Sequence, residues 1–196
     1  NEDTARLPDG VDRLSFTSLL EERKQREARE KQPTIPVGAA SVDITPDHPI
    51  RLNGYGSRST ETADVAQRIF AKAIAIGGDR GNGPAVVVSV ENCSAPGYLR
   101  EALAQRLLEK AKLRPERLLL CCTHSHSAPL LANVNPFLFP QPLPPEQAAN
   151  VEKYTAALLD KLTEAALAAL ANRRPARLSW ARGEAGFAAN RRLLSG

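Results

Sequence analysis

Three stretches decide the fold of this 196-residue chain: PAVVVSV at 84–90, ENCSAP at 91–96 and RLLLCC at 117–122. The first, rich in β-branched residues, is typical of a central strand buried on both faces. A helix is predicted from Pro96-Gly97 to Leu113, with an apolar stripe of Leu99, Leu103, Leu107 and Ala111. RLLLCC reads as the next buried strand. Strand, helix and strand in this order indicate an α/β fold whose sheet is at least partly parallel.

Further strands and helices are predicted on both sides of this unit. The segments 37–44 (VGAASVDI) and 69–76 (IFAKAIAI) read as strands, and 146–172 has the apolar spacing of a long helix. A last strand is predicted at 176–183 (ARLSWARG). The sequence therefore predicts a mixed, partly parallel sheet flanked by helices.

The first part of the chain has a different character. Residues 17–31 predict a strongly charged helix with Thr17 or Ser18 as its N-cap. Its mixed charges favour a solvated helix, and Pro33 and Pro36 end it. We interpret residues 1–36 as a charged N-terminal extension and 37–196 as the α/β domain. A partner-binding role for the helix remains open.

Composition excludes some classes of function. The chain has 42% hydrophobic and 24% charged residues and a net charge of +4, without a basic patch interleaved with aromatic residues, so we expect no nucleic-acid partner. It has no apolar run near the ~20 residues of a membrane span. Residues 1–16 contain no apolar signal region. Because the chain contains no Met, we expect that a leader was removed or the ends were trimmed.

The three cysteines do not form a recognisable metal motif. Cys121 and Cys122 are adjacent, and CxxC spacing is absent. We expect small buried thiols in strands. A disulfide involving Cys93 remains open if the protein is exported.

The segment with the strongest chemical signal is Thr123–Pro129, THSHSAP, which directly follows the predicted strand 117–122. In extended backbone, residues i and i+2 point to the same face, so His124 and His126 are expected to share one site. Open α/β sheets bind ligands at the carboxyl ends of their strands. Imidazole is a common zinc ligand. One ring could bind metal while the other handles a proton, or the two could form only a hydrogen-bonded pair.

A complete catalytic zinc site needs at least three protein ligands. The remaining histidine, His48, lies between Asp47 and Pro49 in what reads as a surface turn. Asp43, Glu91 and Glu184 are carboxylate candidates that nothing singles out. The residues themselves therefore do not predict a complete metal site.

The order of these motifs resembles the N-terminal catalytic domain of the neutral/alkaline non-lysosomal ceramidase family. The matching pieces are VGAASVDITP, NGYG, IFAKAIAI, PAVVVSV, LLLCCTHSHSAP and NRR, and the resemblance covers about 37–196. By this resemblance, 37–196 is the N-terminal half of a ceramidase-like α/β domain. The resemblance implies a zinc hydrolase that cleaves the amide of N-acylsphingosine.

The resemblance also implies roles for individual residues. His124 aligns with a zinc-binding histidine, and His126 with a second histidine that contacts substrate or the attacking water. Arg191, with Asn190, resembles an arginine that positions polar groups of the substrate. Gly54 and Tyr55 match a loop near the site, although a simple tight turn is an alternative.

Other expectations follow from the same resemblance. The family's further zinc ligands and its serine lie later in the chain than Gly196, so we expect this chain alone to be inactive. The expected partners are a lipid or acyl-amide substrate and a membrane surface, and the expected location is extracellular or periplasmic. The oligomeric state stays open.

Two alternative functions are kept. One is a hydrolase of another amide or ester on the same fold. The other is a non-catalytic binding or interaction module that uses the charged N-terminal helix.

Overall fold

A computed structural model describes residues 13–30, 33–134 and 141–187. The chain divides into two compact units, which are taken separately. One unit is Ile35–Ala176. The other comprises residues 1–34 and 177–196, of which 13–30, 33–34 and 177–187 are described. The expected extension at 1–36 and domain at 37–196 stay predictions.

The larger unit contains a five-stranded sheet with the order β6-β5-β4-β1-β7 and a two-stranded sheet formed by β2 and β3. The β5 and β6 strands are parallel, whereas β1 is antiparallel to β4 and β7, and β4 is antiparallel to β5. The strands are β1 (Ile35–Asp43), β2 (Ile50–Arg51), β3 (Glu61–Thr62), β4 (Phe70–Ile76), β5 (Ala85–Val90), β6 (Leu118–Cys122) and β7 (Arg174–Ala176). The helices of this unit are α2 (Gly97–Ala111) and α3 (Pro145–Ala171), with a short 3-10 turn at Pro115–Arg117.

The core lies between the sheet and these two helices. Val86, Val88 and Val90 of β5 are buried with the leucine stripe of α2 and the inner face of α3. The alternate residues Val87 and Ser89 are only half-buried. The prediction of a strand buried on both faces was therefore wrong. Within the described residues, α2 and α3 cover one face of the sheet, and burial alternates along β5 with the period of two that a strand dictates.

Two contacts fix how α3 sits on the sheet. A Cβ at Gly38 of β1 would lie 2.1 Å from the backbone oxygen of Ala169 in α3, so only glycine permits this close approach. Near the other end of β1, the buried Tyr154 hydroxyl donates a 2.9 Å hydrogen bond to the carbonyl of Ile44. The helix is thereby held at the strand end that leads toward the 45–54 loop.

The fold class is confirmed as a mixed α/β structure with a partly parallel sheet flanked by helices. The last predicted strand was misplaced. The segment 174–176 pairs with Ile35–Val37, and 177–183 is not a strand, because it pairs with no strand among the described residues.

The smaller unit contains α1 (Arg13–Glu30), which begins earlier than the predicted start at Thr17 or Ser18. Residues 18–27 of this helix are exposed, as expected for a charged helix, and Lys31 lies outside the described residues. On 177–187, Trp180 and Phe187 are 92% and 90% exposed. No helix in the described part of the chain combines the length and apolar character needed to cross a bilayer. Contact with a membrane surface stays a prediction.

Candidate functional site

The structure brings His124 and His126 together just beyond the carboxyl end of β6. Their ring centroids are 4.9 Å apart at 77°, and their Nε2 atoms are 3.3 Å apart. Two nitrogens bound to one tetrahedral zinc ion, each about 2.0–2.1 Å from it, lie roughly 3.3–3.4 Å apart. The spacing of the two nitrogens therefore fits ligation of one zinc ion by both rings.

The backbone reaches this arrangement differently from the prediction. The β6 strand ends at Cys122, and His124 has a φ of 59°, in the left-handed region. The expectation of extended backbone through the two histidines was therefore wrong. This left-handed residue lies between two backbone hydrogen bonds, from Thr123 N–H to Val90 O at 3.0 Å and from Ser125 N–H to Asn92 O at 3.2 Å. The rings meet across a turn rather than along one face of a strand.

One hydrogen bond shows which nitrogen of the His124 ring carries a hydrogen. Its Nδ1 lies 2.8 Å from the backbone oxygen of Cys93. A carbonyl oxygen can only accept, so Nδ1 carries the hydrogen. In the neutral ring, Nε2 then presents its lone pair toward His126. A backbone carbonyl on the second nitrogen is the usual partner of a metal-binding histidine.

The loop after β5 supports this arrangement through Asn92, which is fully buried. The Asn92 side chain donates to Pro129 O at 3.0 Å and accepts from Ser94 N–H at 3.1 Å. The backbone carbonyl of Asn92 accepts from Ser125 N–H. Asn92 therefore ties the loop that carries Cys93 to the segment that carries both histidines.

Gly54 and Tyr55 are placed against the histidine pair. A bridge between Leu52 and Pro129 brings this loop beside the segment, and Asn53 N–H bonds to Ala128 O at 2.9 Å. Tyr55 contacts the ring of His126 edge-on, with 5.1 Å between centroids. The roles of Gly54 and Tyr55 in substrate binding stay predictions.

Arg58 joins this loop to His126, and sequence reasoning missed it. Its guanidinium donates to the backbone oxygens of Asn53 and His126, and it lies 4.9 Å from the centre of the Tyr55 ring. Both bonds come from one terminal nitrogen, Nη1, which carries two hydrogens and can therefore donate to two carbonyls at once. No local motif marks Arg58, because its partners are brought to it by the fold.

Cys93 supplies a third ligand-type atom, which was also missed. Its Sγ lies 3.8 Å from His124 Nδ1, and the donor atoms of Cys93, His124 and His126 lie within 4.8 Å of one another. All three cysteines are free, so the structure shows no disulfide at Cys93. Burial raises the pKa of the Cys93 thiol. The sequence signal that could have pointed to Cys93 was its position in the loop directly after the strand β5.

The other candidate ligands of the larger unit already have bonding partners. Both ring nitrogens of His48 have partners, Asp47 Oδ1 at 2.7 Å and Asn150 O at 3.2 Å. Glu91 pairs with Lys72 at 2.6 Å, which lowers the pKa of its carboxyl group. Asp43 accepts from Thr45 N–H and pairs with Arg68. Glu184 belongs to the smaller unit.

Two predicted site residues lie outside the described part of the chain. These are Asn190 and Arg191. Their predicted contact with the polar groups of a substrate stays a prediction.

A cavity of about 870 Å³ borders the histidine segment. Among the described residues its wall includes Thr123, Ser125 and Ser127, whereas His124 and His126 do not line it. The rest of the wall comes from 45–50, Leu52, 62–67, Ile69, Glu91 and Pro129. The hydroxyl-bearing residues of the segment thus border a cavity on one side, and the imidazoles meet on the other.

Comparisons with known proteins identify relatives of this fold. The chain is 23% identical to the crystal structure of neutral ceramidase from Pseudomonas aeruginosa, with a TM-score of 0.59 over 74% of this chain and 23% of that one. It is 21% identical to a structure described as ceramidase complexed with C2, with a TM-score of 0.58 over 74% of this chain and 22% of that one. The chain thus spans less than a quarter of either structure. No curated protein matches by sequence.

The sequence profile of one family covers most of the chain. Residues 36–195 match the profile described as neutral/alkaline non-lysosomal ceramidase, N-terminal. This range contains both histidines of the site. It also contains every residue of the five-stranded sheet except Ile35. The chain therefore belongs to the neutral/alkaline non-lysosomal ceramidase family.

Proposed function

We propose that this chain supplies part of the active site of a zinc-dependent amidohydrolase that cleaves N-acylsphingosine or a similar acyl amide. The observation that carries the proposal is the pair of Nε2 atoms 3.3 Å apart, in a chain of the ceramidase family. The two structures that resemble the fold are described as ceramidases, which supports the substrate class.

His124 is the proposed first zinc ligand, because the bond from Nδ1 to Cys93 O leaves Nε2 free of a hydrogen. A bound zinc ion would supply Lewis-acid polarisation of the scissile carbonyl and activation of water. The Nε2 atom of His126 fits either of two roles. It could be a second zinc ligand, or it could orient water and move a proton. Imidazole is suited to the second use near neutral pH.

The surrounding residues orient these rings. Tyr55 restricts the ring of His126 by edge contact, and Arg58 holds the His126 carbonyl. His124 is exposed and His126 half-buried, so substrate and water can reach both rings. Asn190 and Arg191 are proposed to bind polar groups of the substrate on the strength of the family resemblance. Among the described residues, no carboxylate joins the two histidines to complete a catalytic zinc site. We therefore propose that the 196-residue chain alone has no turnover.

The test compares His124→Ala with wild type in two forms, the 196-residue chain and any longer product of the same gene. Zinc content is measured by mass spectrometry, and hydrolysis by release of fatty acid from N-acylsphingosine. We expect His124→Ala to lose zinc and all turnover. His48→Ala is the matched control, because both nitrogens of its ring already have protein partners, Asp47 and Asn150. Full zinc content with retained turnover in His124→Ala would refute the proposal.

The same assay separates the alternatives. A series of acyl amides and esters of equal chain length distinguishes a ceramidase from a hydrolase of another amide or ester. Absence of metal uptake in every form, together with capture of a partner that depends on residues 17–31, would favour the non-catalytic interaction module.

We also propose an extracellular or periplasmic location, which rests on the family resemblance. Fractionation of the native host, with an antibody against this chain, tests it. Recovery of the protein from the cytosolic fraction would contradict it.

A further inference from the structure

Arg51 is a buried cation at the base of the 52–60 loop, which joins β2 to β3 and meets His126. It is the last residue of β2 and is 6% exposed. Moving a charged side chain from water into the protein is costly unless hydrogen bonds replace its hydration. An apolar residue of similar size would fill this position at a lower cost, so packing does not account for the guanidinium.

Three hydrogen bonds of the Arg51 side chain connect the returning part of this loop to α3. Nη2 donates to the backbone oxygen of Arg58, and Nη1 donates to the backbone oxygen of Ser59 at 3.3 Å. Nη1 also donates to the side-chain oxygen of Gln147, in the first turn of α3, at 2.7 Å. One buried side chain thus joins the loop to the helix.

The same residue is also bonded to the part of the chain that carries the histidines. The backbone carbonyl of Arg51 accepts from Leu130 N–H at 2.8 Å, directly after the segment Thr123–Pro129. From the loop, the Arg58 guanidinium donates to the carbonyl of His126. Arg51 and Arg58 therefore form two consecutive links between α3 and the turn at His126.

The 52–60 loop needs such links because burial contributes little to holding it in place. Four of its nine residues are exposed, namely Tyr55, Ser57, Ser59 and Thr60. A shift of Arg58 would reach His126 through the hydrogen bond between them. It would also reach Tyr55, whose ring lies 4.9 Å from the Arg58 guanidinium and meets His126 edge-on.

We propose that Arg51 is a positioning residue of the candidate site, which acts on His126 through Arg58. Its guanidinium fixes the Arg58 backbone, and the Arg58 side chain then holds the His126 carbonyl. The inference rests on the proposed function, in that His126 must take part in the reaction. It does not require the 196-residue chain alone to bind metal.

The test compares Arg51→Met with wild type by NMR of the ¹⁵N-labelled 196-residue chain. Methionine is an unbranched apolar side chain without a hydrogen-bond donor to charged or carbonyl groups. We expect a folded chain in which the ring ¹⁵N shifts of His126 change, since the loop loses its support. Arg117→Met is the matched control, because Arg117 donates to the backbone oxygens of Gly83 and Pro84 in another loop. Its His126 shifts should equal those of wild type.

Any longer product of the same gene provides the functional readout. There, Arg51→Met should lower kcat for N-acylsphingosine by about 10- to 100-fold, the range found when residues that orient a metal site are replaced. Arg117→Met should keep the wild-type kcat. Changed His126 shifts without a fall in kcat would overturn the role of Arg51 in the reaction.

The NMR comparison decides the positioning separately from the proposed function. His126 shifts that equal those of wild type in a folded Arg51→Met chain, or that move as far in Arg117→Met, would overturn the inference. A wild-type protein without zinc and turnover would instead contradict the proposed function, whatever the shifts show.

A further measurement needs no variant and covers the case in which Arg51→Met does not fold. Backbone ¹⁵N relaxation of the wild-type chain should give residues 54–58 order parameters of about 0.85, as in a rigid strand. Values below about 0.6 would show that Arg51 does not hold this loop and would overturn the inference.

Discussion

Gly54 lies directly against His126. A Cβ at position 54 would come within 2.6 Å of both Cβ and Cγ of His126. The backbone of Gly54 also has a φ of 100°, which disfavours any side chain. Two independent constraints therefore select glycine at this position, and one of them acts on the ring at the centre of the candidate site.

The first prediction concerns this contact. Gly54→Ala should displace His126 and weaken Zn²⁺ or Co²⁺ binding by about 10- to 100-fold, the range found when support of a ligand is lost. Calorimetric titration measures the affinity. Gly81→Ala is the matched control, since its φ is 63° but nothing lies within 4 Å of its Cβ. Equal affinities of the two variants would show that the contact with His126 does not matter.

The second prediction tests Arg58 as a positioning residue. Arg58→Lys keeps the charge but replaces the rigid guanidinium, whose Nη1 donates to the Asn53 and His126 carbonyls, with an ammonium group on a flexible stem. We expect metal affinity to fall by about tenfold and the ring ¹⁵N shifts of His126 to change. The exposed Arg80→Lys should change neither. If the ring ¹⁵N shifts of His126 in Arg58→Lys equal those of wild type, Arg58 does not position His126 and acts only through its charge.

The third prediction concerns the attachment of α3 to the sheet. Tyr154→Phe leaves the Ile44 carbonyl without its buried donor and should lower the free energy of unfolding by about 1–3 kcal/mol. Urea unfolding measures this change. Tyr98 donates a similar bond to Ala132 O but is 39% exposed, so water can replace the donor in Tyr98→Phe. A loss no greater in Tyr154→Phe than in Tyr98→Phe would contradict the prediction.

The fourth prediction is a pH dependence that arises at the end of β1. Hydrogen bonds from Thr45, followed by the pairing with Arg68, lower the pKa of Asp43 from 3.8 to about 2. A carboxyl group with a lowered folded-state pKa stabilises the fold above its unfolded pKa. This contribution should be complete above pH 4 and disappear as the pH falls toward 2.

Asp43→Asn tests this dependence. Urea unfolding from pH 7 to pH 2 should show a lower stability than wild type at neutral pH, with the difference closing below pH 4. Asp79→Asn, which removes the exposed partner of Arg173, is the control and should show a smaller difference. A gap between Asp43→Asn and wild type that stays constant with pH would rule out the ionisation of Asp43 as its source.

Much of the fold could be predicted because its signals are local. The alternation along β4 and the run of β5 mark strands, and the leucine spacing of α2 marks a helix, without knowledge of any distant contact. The misplaced last strand has a different cause. The apolar alternation of 177–183 resembles a strand, but strand formation requires a partner. Among the described residues, the edge of β1 that faces away from β4 pairs only with 174–176.

The sequence by itself determined the α/β order of elements and the place of two histidines after a strand, because both are written in neighbouring residues. The predicted burial of that strand was wrong, because β6 lies at the edge of the sheet and only its Leu118 is buried. Tertiary structure alone decided what surrounds those rings. Cys93 meets His124 across 31 positions and Arg58 meets His126 across 68. Such contacts depend on which strands pair and where each loop leaves the sheet, and the free energy of that choice is spread over the whole core rather than held in any local motif.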